Sequence, residues 1–205
     1  MKQKDYDKLL NVKTEGDQKG FHKSLHYHRY EATPYRALEE LFNIYKWNSS
    51  DRVVDFGCGK GRLIFYINYL SHATVVGVEM NETLYQEAVA NRNRYLKKYK
   101  QSKDKIHLHY CFAEEYKIDP SDNRFYFFNP FSIQVFMNII NNILFSVEEE
   151  RREVDLVLYY PSEDYIYFLE NDTSFELKEE VILPHFYEDN ANERFLIYRL
   201  AYSGA

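Results

Sequence analysis

Five short apolar runs alternate with helical patterns along most of this chain, and that alternation narrows the folds open to it. The runs are RVVDF (52–56), TVVGVE (74–79), KIHLHYCF (105–112), RFYFFNPF (124–131) and VDLVLYY (154–160). Runs that are apolar nearly throughout suit strands buried on both faces, and the helical stretches between them suit crossovers. Together they predict an α/β fold with a parallel sheet covered by helices on both faces. The end of the chain breaks the alternation. SFELKEEVIL (174–183) and ERFLIYRLAY (193–202) are joined by a polar segment without helical periodicity, which predicts an antiparallel C-terminal hairpin closing one edge of the sheet.

The helical patterns are specific enough to place. Leu38, Leu41, Phe42 and Tyr45 recur at three- and four-residue spacing after Pro34, which sits where a helix can begin. A helix is expected near 60–70, a long one from Asn81, and a short one near 162–170. Phe136, Ile139, Ile140, Ile143 and Val147 form one apolar stripe of another. The first twenty residues are polar and charged, so a short helix or frayed chain is expected there. No repeat, low-complexity tract or linker divides the sequence. The expectation is one domain over 1–205, with 1–31 as an N-terminal extension and 32–201 as the core.

The 205 residues are 45% hydrophobic and 28% charged, a balance typical of globular domains. A net charge of −6 argues against broad non-specific nucleic-acid binding. It leaves room only for local basic stretches at 19–30 and 92–105, the second reading as the solvated end of a helix. Aromatics reach 18%, and they either line a pocket or reflect a Tyr-rich core and surface. Two cysteines, Cys58 and Cys111, supply no disulfide or zinc framework. No signal-like segment and no apolar run near the ~20 residues of a membrane span is seen, so a reduced, cytoplasmic setting is expected. His26 and His28 alternate and have no carboxylate or cysteine cluster at ligand spacing, so no metal is expected. They read as rim or surface residues, or as a general base near neutral pH.

In such a sheet, ligands bind beyond the carboxyl ends of the strands, so the chemistry is sought there. The first strand and its loop read Asp55-Phe-Gly57-Cys58-Gly59-Lys60-Gly61. A dinucleotide fold would place its third glycine three residues after the second; here the interval is two. Asp55 would repel a pyrophosphate, whereas it would attract an ammonium or a sulfonium, by roughly 4 kcal/mol at 4 Å before desolvation. Glu79 ends the second strand 24 residues later, at the distance expected of a carboxylate that accepts from ribose hydroxyls. A nucleoside that carries a cation and no phosphate satisfies both acids.

On VVDFGCGKG followed by VVGVE, the chain resembles the class I S-adenosylmethionine-dependent methyltransferases over about residues 32 to 201. The resemblance implies a Rossmann-like, doubly wound, seven-stranded sheet, only its last strand antiparallel, with the N-terminal helical segment over the cleft. It implies S-adenosyl-L-methionine as cofactor, with Asp55 and the backbone of Gly57, Gly59 and Gly61 at the methionine portion. Glu79 would hold the ribose and Met80 would pack on the adenine. After the third strand the family often has an aspartate followed by alanine. Here Phe112 stands at the aspartate position before Ala113, so either Glu114 takes the adenine contact or Phe112 stacks on the ring.

The fourth strand ends in FFNPF, which resembles the Asn-Pro-Pro-aromatic motif of methyltransferases acting on amino nitrogens, with one proline missing. By that resemblance Asn129 and Pro130 present acceptor oxygens to the target amine and Phe131 packs against its plane. The other reading is an Asn-Pro turn opening the next helix, with Ser132 as its cap. Cys58 is expected to be a small packed residue. The function expected is methyl transfer to an acceptor of protein, nucleic-acid or small-molecule class, an amino nitrogen by the FFNPF resemblance. The rivals are a cofactor-binding scaffold or sensor without turnover and, disfavoured by Asp55 and the glycine spacing, a dinucleotide-dependent oxidoreductase.

Overall fold

The computed structural model describes residues 3–16, 31–184, 188 and 190–200. Its strands are β1 (Arg52–Phe56), β2 (Thr74–Glu79), β3 (Ile106–Tyr110), β4 (Arg124–Phe127), β5 (Val154–Tyr159), β6 (Glu176–Ile182) and β7 (Arg194–Leu200). They form one sheet in the order β3-β2-β1-β4-β5-β7-β6. The first five strands pair in parallel, and β7 runs antiparallel to both β5 and β6. The seven-stranded, mostly parallel sheet with a C-terminal hairpin is therefore as the sequence predicts. Strand order reverses between β1 and β4, which places the ligand crevice above their carboxyl ends.

The helices are α1 (Gln3–Leu10), α2 (Tyr35–Ile44), α3 (Arg62–Ser71), α4 (Glu82–Lys98), α5 (Ile133–Glu149) and α6 (Glu163–Asp172). One face of the sheet packs against α1, α2 and α3 and the other against α5 and α6. The α5 stripe of Phe136, Ile139, Ile140, Ile143 and Val147 is buried as its spacing requires. Each such side chain contributes ~1.5–3 kcal/mol by leaving water. Asn81 caps α4, its side chain accepting from Leu84 N–H at 3.0 Å.

Three local expectations are adjusted. Helix α2 stops at Ile44, and Tyr45 leaves it in extended conformation because its hydroxyl is drawn to Asp155, at 2.5 Å. The N-terminal stretch forms a short helix, α1, and Tyr6, Leu10 and Val12 enter the same core cluster as Leu38 and Ile64. Packing therefore does not separate residues 3–14 from the rest. The basic end of α4 is only partly solvated: Lys98 Nζ and the Tyr99 hydroxyl both donate to the Leu9 carbonyl, at 2.9 and 2.7 Å. No helix among the described residues is long and apolar enough to cross a membrane.

Candidate active site

The glycine loop turns back on itself between β1 and α3, and Gly57, Gly59 and Gly61 all have positive φ. At Gly61 a Cβ would lie 2.7 Å from the Phe65 ring, so only glycine fits. The loop satisfies its own backbone. Gly57 N–H and Cys58 N–H donate to the Val78 carbonyl at 2.9 and 3.1 Å, and Gly61 N–H to the Cys58 carbonyl at 2.8 Å. Gly59 N–H donates to Glu79 Oε2 at 2.9 Å. These four N–H groups face protein oxygens, a poor arrangement for cradling a pyrophosphate, which needs them turned outward.

Cys58 explains a glycine in the middle of β2. A Cβ on Gly77 would come within 2.7 Å of Cys58 Sγ, so the thiol fills the space a side chain would take. Burial, then the charges of Asp55 and Glu79, push its pKa well up. It is a packed thiol, as expected, and not a nucleophile.

Asp55 and Glu79 end adjacent strands and are 5% and 7% exposed. Burial first, and then the charge of Glu79, raises the Asp55 pKa well above the usual carboxylate range. Among the described residues no cation acts on Asp55 to oppose this. Burial also raises the pKa of Glu79, against backbone hydrogen bonds from Asn81, Gly59 and Met80 that favour its charge. Glu79 Oε1 accepts from Asn81 N–H at 2.7 Å while Oε2 holds the glycine loop. The carboxylate expected at the ribose thus also fixes the loop beside it.

The β4 corner meets this loop. Asn129 has φ 38°, and a Cβ on Gly57 would lie 3.1 Å from Pro130 Cβ. Pro130 thus closes the space beside Gly57, which places the Asn129 corner next to the Asp55 loop. Asn129 and Pro130 are half-buried. Phe131 differs from the wall expected of it. At 3% exposure it belongs to the core, and the Tyr165 hydroxyl accepts from its N–H at 3.2 Å and donates to its carbonyl at 2.6 Å. It supports the floor of the loop. Ser132 stands at the N-cap position of α5, but its side chain makes no capping hydrogen bond there.

On the far side, Met80 is half-buried, Ala113 buried and Glu114 half-buried, whereas Phe112 is 46% exposed. The Glu114 carbonyl accepts from Asn142 Nδ2 at 3.0 Å, tying this loop to α5. His26, His28 and Tyr30 lie outside the described residues.

A clasp that the sequence did not announce supports the loop from behind. Asn91, buried in α4, donates through Nδ2 to the Lys60 carbonyl at 2.8 Å and the Lys13 carbonyl at 3.0 Å. Its Oδ1 accepts from Lys13 N–H at 2.7 Å. Lys60 Nζ donates to the Glu15 and Gly16 carbonyls at 3.2 and 3.3 Å and lies 3.1 Å from Glu87. Arg62 donates to Thr14 Oγ1 at 2.8 Å and lies over the Tyr35 ring. A mid-helix asparagine carries no periodic signal, so this role had no trace in the sequence. Among the described residues no group of three or more His, Cys, Asp or Glu side chains is placed to hold a metal.

Residues 34–124 match the family described as a methyltransferase domain. No curated protein sequence matches the chain. Among solved structures, an RNA methyltransferase from Salinibacter ruber in complex with S-adenosyl-L-homocysteine is 16% identical, with a TM-score of 0.58. That alignment covers 82% of this chain and 92% of the other. Human methyltransferase 10 domain containing protein is 12% identical with a TM-score of 0.59, covering 84% of each chain. Geranyl diphosphate C-methyltransferase from Streptomyces coelicolor A3(2) is 10% identical with a TM-score of 0.53, covering 80% of this chain and 77% of the other. Residues 34–124 thus carry the match to a methyltransferase domain, and the sheet as a whole has the fold of these methyltransferases, one of them holding S-adenosyl-L-homocysteine. The neighbours' acceptors, RNA and an isoprenoid diphosphate, are so unlike that the fold carries no information on the acceptor here.

Proposed function

We propose that the chain transfers the methyl group of S-adenosylmethionine to an amino nitrogen held at the β4 corner, as a single domain in a reducing, cytoplasmic setting. The observation that carries the reading is the closeness of Gly57 and Pro130, which brings the loop of buried Asp55 next to the Asn129 corner. The residues suit the cofactor. Asp55 is a buried carboxylate with no cation acting on it among the described residues, as a site for an ammonium or sulfonium requires. S-adenosylmethionine supplies, when bound, a methyl group already activated on sulfur.

The chain's own residues then do four things. Asp55 attracts the cationic portion of the cofactor, with Gly57, Gly59 and Gly61 allowing its close approach. Glu79 accepts from the ribose hydroxyls while holding the loop, and Met80, Ala113 and Glu114 border the adenine. Asn129, with Pro130 stiffening the turn, accepts hydrogen bonds from the target amine and aims its lone pair at the methyl carbon. Phe131 backs this corner from the core.

The test is turnover and cofactor affinity in two variants. Asn129→Ala is expected to lower turnover on the order of 100-fold, the cost of an ångström of misplacement, while S-adenosylhomocysteine affinity stays within twofold. Asn129→Asp, which keeps an acceptor oxygen, is expected to be milder. Full activity in Asn129→Ala would reduce Asn129 to a helix-opening turn and remove the case for an amino acceptor.

A further inference from the structure

The backbone makes the same unusual corner twice. Asn129 after β4 has φ 38° and Tyr160 after β5 has φ 53°. Each precedes a proline, Pro130 or Pro161, and each corner leads to a serine, Ser132 or Ser162, at the N-cap of the next helix. The parallel register pairs Phe127 with Leu158; continued by two residues, it sets Asn129 beside Tyr160. The intermediate pair, Phe128 and Tyr159, has ring centroids 4.5 Å apart, as that continuation requires. Asparagine tolerates left-handed backbone, but a tyrosine there is an outlier that persists only where its surroundings hold it. Such outliers concentrate at ligand sites.

The surroundings do hold Tyr160. Its N–H donates to the Arg194 carbonyl at 3.1 Å, and its hydroxyl accepts from Asn190 Nδ2 at 2.6 Å. The half-buried ring therefore spans from the end of β5 to the β6–β7 connection. A carboxylate borders this corner: Glu193 accepts from the Tyr159 hydroxyl at 2.6 Å. Phe131, the aromatic that the sequence offered for this place, is turned into the core.

We propose that Tyr160 is the specificity-determining wall of the acceptor site, and that with Glu193 it selects an acceptor bearing a positively charged amine. The inference rests on the reading of Asn129 given above. A ring face and a carboxylate attract a cation, and the same carboxylate on a chain of net charge −6 repels a polyanion. The matching chemistry is a lysine-type amine of a basic polypeptide segment or a free polyamine. The amine first releases a proton to water. Its lone pair then forms the N–C bond to the methyl group as the C–S bond breaks, the electron pair of that bond staying on sulfur and the positive charge passing to nitrogen.

The experiment incubates the protein with methyl-labelled S-adenosylmethionine and three separate probes: a lysine-rich peptide, spermidine and bulk transfer RNA. Label is expected on the peptide or on spermidine, and which of them takes it identifies the source of the amine. Tyr160→Ala is expected to raise KM for that probe at least tenfold while S-adenosylhomocysteine affinity stays within twofold. Tyr160→Phe, which keeps the ring and loses the Asn190 bond, should raise it less. Glu193→Gln should raise KM and flatten its dependence on salt, and it decides the matter if Tyr160→Ala no longer binds S-adenosylhomocysteine. Label on RNA alone, label on none of the three, or an unchanged KM in the variants overturns the proposal. Label on RNA that falls with Asn129→Ala would overturn the substrate class and leave the amino-nitrogen reading standing. Normal turnover in Asn129→Ala would overturn that reading instead.

Discussion

The two ends of the same sheet treat buried aspartates in opposite ways. At the amino ends of β4 and β5, fully buried Asp155 accepts from Arg199 Nε and Nη2 at 2.7 and 2.9 Å and from the Tyr45 hydroxyl, with Arg124 at 3.6 Å and Lys178 at 3.7 Å. Beside it Asp122 pairs with Arg52 at 2.7 Å and accepts from the Tyr116 hydroxyl at 3.0 Å. At the carboxyl ends, Asp55 faces another acid and no cation among the described residues. Burial alone would raise the Asp155 pKa, but the hydrogen bonds of Arg199 and Tyr45 and the charge of Arg124 carry it below its usual value. Asp55 goes the other way. A buried acid surrounded by arginines is structure; one left with a like charge is a candidate functional site.

The sharpest way to break this contrast is at the amino end. Asp155→Ala leaves Arg199 and Arg124 without their shared partner and is expected to cost about 3–5 kcal/mol of stability. Below the lowered melting temperature, S-adenosylhomocysteine affinity should be unchanged. Calorimetry on the variant checks both, and a weakened affinity would show that the two ends are coupled.

Asp55→Asn should do the reverse. Removing an uncompensated buried charge is expected to raise unfolding stability at pH 7 by about 1–3 kcal/mol, while cofactor affinity falls on the order of 100-fold. The sign follows from linkage. Because the folded-state pKa of Asp55 is raised, its charge opposes folding as pH rises from the unfolded value, about 3.9, toward the folded one. The stability advantage of Asp55→Asn should therefore vanish as pH falls below about 4, and wild-type affinity should weaken as Asp55 takes up its proton. For Asp155, whose folded pKa is depressed, the contribution is present above the unfolded value and is lost as pH falls through the folded one. Melting curves of wild type and the two variants across pH separate these opposite slopes.

Glu79→Ala is the most mixed of the three. It removes charge-assisted bonds worth ~1.5–3 kcal/mol each to a ribose, and it also frees Gly59 N–H and Asn81 N–H. A loss of affinity accompanied by a modest loss of stability is expected. Affinity loss with an unchanged melting curve would show that the loop does not depend on Glu79.

Much of this was legible in the sequence because it is local. Apolar runs and helical stripes announce their own elements, and a glycine loop between two strands announces the tight turn at which Asp55 and Glu79 meet. What was not legible is contact between distant residues. Phe131 looked like a cleft wall because its position in FFNPF suggests one, yet Tyr165, 34 residues on, draws its backbone into the core. The Tyr-Pro-Ser corner at 160–162 repeats the X-Pro and N-cap serine of 129–132, but only the register of β4 and β5 brings the two corners to neighbouring strand ends.

By itself, then, the sequence determined the strand and helix order, the antiparallel closing hairpin and the acidic character of the strand ends at the glycine loop. Each depends on side-chain period, glycine conformational freedom or charge at a strand end, and these act over a few residues. Only the tertiary structure decided which aspartates would be paired. Asp155 meets Arg199 because β7 runs antiparallel to β5, and Asp55 meets Glu79 because β1 and β2 run parallel. It also decided that Asn91 would hold Lys13 to Lys60, and that the corners at Asn129 and Tyr160 would follow neighbouring strands. Those outcomes depend on register between strands and on burial, which raises the free-energy cost of every charge left without a partner.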